Sequence, residues 1–176
     1  RKDRFLVANQ LTIREALYPE EGSSYAVQRT AFEEGYESHY LWAMENISND
    51  PITESDSSEV IDTLDMFRAI RHCYENLPDK MGIDETALRF QGYDGNDPVE
   101  CRLLGYARYF VVELERFQDI LKDQQGHFDF NSHGEMREVY RRMLEVWKRL
   151  PTEQRHKLSK DQIMEITNAR THPQNR

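Results

Sequence analysis

Six prolines, at positions 19, 51, 78, 98, 151 and 173, cut this chain into runs, and that punctuation limits the fold more than any other feature. Proline lacks an amide proton and clashes with the preceding helical turn, so a helix stops before it or starts beside it. Between the prolines, apolar residues recur at three- and four-residue spacing, the pattern of helices packed by one face. The first run, about 3–18, carries Phe5, Leu6, Ile13 and Leu17 on one side and stops at Pro19. The second, about 23–48, sets Tyr25, Phe32, Tyr36, Tyr40, Met44 and Ile47 at helical spacing, with Gly35 mid-run permitting a close crossing or a kink.

The later runs carry capping signatures as well. A third helix, about 57–76, follows "SDSSE", where Asp56 and Glu59 have capping-box spacing. A fourth starts at "DPVE", with Asp97 as cap and Pro98 at the first helical position, and continues to about 122. A fifth, about 133–150, begins after Ser132, whose partner at the box position is Glu135. Its apolar face holds Met136, Val139, Tyr140, Met143, Leu144, Trp147 and Leu150. A short sixth follows Ser159, with Gln162 completing a box. The reading is all-α: a bundle of five to six helices with one long irregular loop, about 78–97. Residues 1–168 form a single helical domain, and 169–176 a frayed tail. The "LRF" at 88–90 could make a short strand, but one strand makes no sheet.

Leu, Ile, Val and Phe supply about 22 % of the chain, just above the level at which a charged chain stays unfolded. Tyr, Met and Trp must fill the rest of an aromatic-rich core. Such thin aliphatic content favours burying more surface between subunits, so a homo-oligomer is expected. No apolar run is long enough to span a membrane, and Cys73 and Cys101 form no disulfide framework, which fits a cytoplasmic protein. The net charge of −9 argues against a general nucleic-acid binder. It is unevenly spread: residues 15–65 hold thirteen acids and one Arg, whereas 137–160 hold eight bases and three acids. Either helix faces bathed in solvent or the steering of a partner would account for that asymmetry.

Candidate chemistry is sparse. In "HFDFNSH" the residues His127, Asp129, Asn131 and His133 alternate with phenylalanines, which on an extended segment would line one side. Alternate residues lie about 6–7 Å apart, too far for all four to share one ion. The preferred reading is a polar helix start with Phe128 and Phe130 docked on the core, and no metal. "YDGNDP" offers Asp94, Asn96 and Asp97, but an EF-hand pattern fails because its twelfth place is Gly105. Glu153 and His156 make the only E-x-x-H, where a di-iron bundle needs two. No phosphate-binding, nucleophile-elbow or zinc-protease motif occurs. An inward Arg108 on the fourth helix would require Asp94, Asp129 or Glu145 as partner. On the fifth helix, Glu138–Arg142 and Glu145–Arg149 pairs would absorb part of the basic run.

Taken in order, "RFLVANQ", "DTLDMFRAI", "RFQGYDGN", "LLGYARYFV", "FDFNSH" and "YRRMLEVW" resemble the YfbU family of bacterial proteins, from about residue 3 to about 169. The resemblance implies an all-helical, cytoplasmic, self-associating protein without an assigned activity, so no site residue carries over. It also implies, for some relatives, an N-terminal ribbon-helix-helix module that would lie upstream of residue 1.

Three functions follow. The leading one is a non-enzymatic helical module for self-association or regulation. In the second, the chain is the accessory domain of a DNA-binding regulator whose reading segment lies upstream, and DNA is a partner only through that segment. The third is a small-ligand sensor or enzyme with a pocket between the 79–97 and 127–133 loops. There Asp94, Asn96, Arg108, Asn131 and His133 would be the ligand-binding groups. No catalytic residue, metal ligand or cofactor is assigned.

Overall fold

The computed structural model describes residues 1–44, 47–48, 50–123 and 128–172. It is all-helical, as the proline punctuation predicts, with seven α-helices and no strand among the described residues. None of these helices is long and apolar enough to cross a membrane. The chain divides into two compact units, Arg1–Pro51 and Ile52–Arg176.

In the first unit, α1 (Lys2–Leu17) and α2 (Gly22–Glu34) are joined by a tight turn at Pro19–Glu21. A one-turn α3 (Tyr40–Ala43) follows. The second run is therefore not one helix to residue 48. Gly35 takes a left-handed conformation (φ 83°) that few other residues tolerate, and its N–H closes α2 on the Ala31 carbonyl at 3.0 Å. A side chain there would also collide with the Arg4 guanidinium. The core of this unit is small: Ala8, Leu11, Tyr25 and Phe32, with the Tyr40 ring stacked 4.4 Å from Phe32. Arg14 caps it, lying 4.5 Å over the Tyr25 ring.

The second unit is organised on α4 (Glu54–Glu75), which buries Val60, Leu64, Met66, Phe67, Ala69, Ile70 and Cys73. Its cap is Thr53, not Asp56: the Thr53 hydroxyl accepts the Asp56 N–H at 3.0 Å and donates to its carboxylate at 2.8 Å. After the irregular segment come α5 (Glu100–Arg108), α6 (Arg137–Arg149) and α7 (Lys160–Asn168). The Ser159–Gln162 box at the start of α7 forms as the sequence predicts. Phe67, Phe90, Tyr93 and Tyr140 meet edge-on or tilted at 5.3–5.8 Å, giving the expected aromatic centre. Phe130 is buried and Phe128 packs against the same core.

Three expectations change here. The fourth helix does not reach 122: past Arg108 it widens into one π turn, Tyr109–Glu113, and then breaks. Glu115 and Phe117 both have positive φ, and Gln118–Asp123 forms 3-10 turns. The fifth helix starts at Arg137, four residues later than the Ser132 box predicts. His133 has φ 55°, which is incompatible with helix, and the Ser132 hydroxyl donates to the Gly134 carbonyl instead. Finally, "LRF" is no strand; Leu88 ends a 3-10 turn. The expected fraying of the tail falls in part on 173–176, outside the described residues.

Candidate functional site

The two loops singled out in the sequence meet. Tyr93 N–H donates to the Phe130 carbonyl and Ser132 N–H to the Tyr93 carbonyl, both at 3.0 Å, making an isolated parallel bridge between Tyr93 and Asn131. The approach is so close at Gly92 (φ 90°) that an added Cβ would stand 2.0 Å from the Phe130 carbonyl oxygen. Asn131 then fastens both sides: its Oδ1 accepts the N–H groups of Gly95 and His133 at 3.0 Å. Asp94 turns on itself, accepting the backbone and side-chain N–H of Asn96 at 2.9 and 3.1 Å. "FQGYDGN" and "FNSH" are thus two halves of one interlock.

At its centre lies a residue that sequence reading treated only as part of a helix start. Asp97 Oδ1 accepts the Val99 and Glu100 N–H groups at 2.9 and 2.7 Å, which begins α5 and turns the Glu100 side chain inward. Glu100 is only 4 % exposed. Its carboxylate accepts the Asp94 N–H at 2.8 Å, the Met136 N–H at 2.9 and 3.0 Å, and the Arg137 N–H at 2.6 Å. It therefore caps α6 from another element, where the helix dipole favours an anion. No local spacing could reveal this, because donor and acceptor are 36 and 37 residues apart. Tyr140 completes the frame, accepting the Gln91 N–H and donating to the Gly92 carbonyl, each at 3.0 Å. Burial pushes the Tyr140 and Tyr93 hydroxyls far above the usual phenol range, so both stay neutral.

The interlock brings Asp94, Asn96, Asn131 and His133 onto neighbouring turns, where Asp94 and Asn131 accept amide N–H groups of those turns and Asn96 donates its own to Asp94. His133 and Asn96 are exposed. Arg108 does not point inward: it is exposed on α5, and among the described residues no ion pair joins it to Asp94, Asp129 or Glu145. His127 lies outside the described residues. Among those described, no three His, Cys, Asp or Glu side chains gather as a metal would require.

Part of the charge asymmetry is matched between two helices of the second unit. Arg137 Nε and Nη2 donate to Glu59 at 2.9 Å, and Arg137 also pairs with Asp56. Arg141 reaches Glu59 at 3.0 and 3.1 Å, and Lys148 pairs with Asp62. Hydrogen bonding to the Thr53 hydroxyl, then to Arg137, lowers the Asp56 carboxyl from its usual range. Burial alone would raise Glu59, but the Arg137 and Arg141 hydrogen bonds outweigh it and hold that carboxyl low. Glu138 pairs with Arg141 at 2.7 Å rather than with Arg142. Arg142 instead donates to the Ala169 and Arg170 carbonyls at 3.2 and 2.7 Å, closing the end of α7. A further open polar groove runs along α4 past Asp65, Arg68 and His72 to Phe117, Asp119 and His156. Its charges are of both signs and partly matched, with His156 3.4 Å from Asp65 and Arg68 3.7 Å from Asp119.

The first unit carries most of the exposed apolar side chains among the described residues. Among the described residues sixteen large hydrophobic side chains are exposed, and eleven of them lie within residues 1–51. Phe5, Leu6, Ile13 and Leu17, which the sequence sets on one side of the first run, are exposed, and Ala8 and Leu11 pack with α2 instead. Leu6, Leu17 and Leu41 are 60, 67 and 68 % exposed, and Trp42 61 %. Contiguous exposed apolar patches of more than a few hundred Å² are rare on monomeric proteins. In comparison with known families, residues 1–169 match the family model described as the YfbU domain.

Proposed function

We propose, from the premise that this chain belongs to the YfbU family, that it works as a helical module whose task is association, first of all with itself. The observation that carries this reading is the outward apolar face of residues 1–51, where eleven of the sixteen exposed large hydrophobics gather. Burying one such side chain is worth roughly 1.5–3 kcal/mol, so even a few in a shared interface offset the cost of bringing two chains together. The loop interlock supports the same reading from the other direction. Asp94 and Asn131 are committed to backbone and turn amides, and the buried Glu100 carboxylate is committed to three of them. Those groups are taken up in holding a scaffold.

The test is the mass of the whole chain in solution, by light scattering across about 1 to 100 μM, the range in which interfaces of roughly −6 to −8 kcal/mol fill. A dimer or higher species that dissociates on dilution is the expected result. A monomer throughout that range overturns the reading.

A further inference from the structure

We infer that α1 is the seam of a homodimer in which two copies of this helix lie antiparallel; this rests on the self-association reading and gives it a partner and a geometry. Helix α1 has two apolar sides. One, with Ala8 and Leu11, is buried against its own unit. The other carries Leu6, Ile13 and Leu17, with the polar Gln10 completing the spacing of four, three and four residues, and all four are exposed. That is the alternation of a coiled-coil seam, two helical turns per seven residues, rather than of a helix packed on a broad globular core. A second helix of matching pattern would cover it.

The identity and direction of the second helix follow from charge. At the cap and first turn of α1, Arg1, Lys2 and Arg4 outnumber Asp3; at its end and in the following turn, Glu15, Glu20 and Glu21 outnumber Arg14, with Glu15 already paired to Arg29 and Glu21 accepting the Tyr25 hydroxyl, so that Glu20 is the acid left to a partner. The two ends of the segment thus carry opposite charge. That arrangement suits an antiparallel mate. Turning a copy end for end sets Leu6 opposite Leu17 of the partner and Gln10 opposite Ile13 of the partner, giving four layers related by a two-fold axis. The same register brings Arg1 and Lys2 beside the partner's Pro19–Glu21 turn. Among the described residues, Lys2 and Glu20 have no ion pair within their own chain. A parallel pair would instead stack base on base and acid on acid.

Cysteine cross-linking of the whole chain decides it, with Cys101→Ser to remove the exposed native thiol and the buried Cys73 kept. Leu6→Cys and Leu17→Cys are at exposed positions and leave the core intact. Under mild oxidation, mixing the two variants is expected to give a disulfide-linked heterodimer, while neither variant alone links to itself. Lys2→Glu is expected to weaken the dimer about threefold, and Lys2→Glu combined with Glu20→Lys to restore it. Self-linking of Leu6→Cys alone, or a dimer by mass that no combination cross-links, overturns the antiparallel seam and leaves self-association standing. A parent chain that stays monomeric overturns both.

Discussion

Glu100 is tolerable at 4 % exposure only because three backbone N–H groups surround its carboxylate. A buried carboxylate without donors would cost several kcal/mol, whereas here each donor is a group that would itself go unsatisfied. Glu100→Gln keeps the shape but turns an NH2 toward those donors, setting hydrogen against hydrogen. The expected loss is about 2 kcal/mol, read as a lower urea midpoint with unchanged slope. Hydrogen exchange is expected to quicken first at Asp94, Met136 and Arg137, the three residues whose amides it holds. A substitution that merely loosened packing would not single out these three amides. Gly92 shows the same dependence on neighbours: nothing in "FQGYDGN" announces that a carbonyl will stand where its Cβ would be.

Among the elements, α4 and α6 show what the sequence makes legible and what it hides. The apolar face of α6, with Tyr140, Met143, Leu144 and Trp147 buried, follows directly from spacing. Its start does not, because the cap is Glu100 from across the unit and the plausible Ser132 box is disabled by the left-handed His133. Likewise, the polar face of α4 reads as solvated acid until the arginines of α6 are set against it. Gly35 was visible as an oddity, yet only its positive φ decides that it ends a helix rather than kinking one. The stripe of α1 was legible as apolar; which way it faced was not, because α1 has two such stripes. The Arg137 network carries a pH consequence of definite sign. Asp56 and Glu59 have folded values held below their ordinary ones, so the unfolded chain binds their protons first. Their contribution is fully present above the ordinary carboxylate range near pH 4 and is lost as pH falls through the lowered folded values. Arg137→Met should cost about 1–2 kcal/mol at pH 7. The gap to the parent, followed by urea unfolding, should shrink as the pH drops below about 4; a gap independent of pH would mean that Arg137 acts through packing alone.

At the scale of the whole molecule, the two units differ in how much of their stability is their own. The unit Ile52–Arg176 has an extensive core with Phe67, Phe90, Tyr93, Tyr140 and Trp147 at its heart. The unit Arg1–Pro51 buries Ala8, Leu11, Tyr25 and Phe32, with a larger apolar inventory left outside. A segment of about fifty residues is short for independent stability even when its hydrophobic side chains turn inward, and under the proposed association the partner would supply part of what holds it. Anything that binds the folded form alone raises its stability with concentration. Amide exchange in α1 and α2 should therefore slow as protein concentration rises from about 1 to about 100 μM, a hundredfold step worth up to about 2.7 kcal/mol. Exchange in α4 and α6 should stay constant over the same range. Leu6→Glu combined with Leu17→Glu places charge on the seam, and in that variant exchange of α1 and α2 should be fast at every concentration. Concentration-independent exchange in α1 and α2 of the parent chain would mean that this unit stands without a partner, and the outward hydrophobics would then need another explanation.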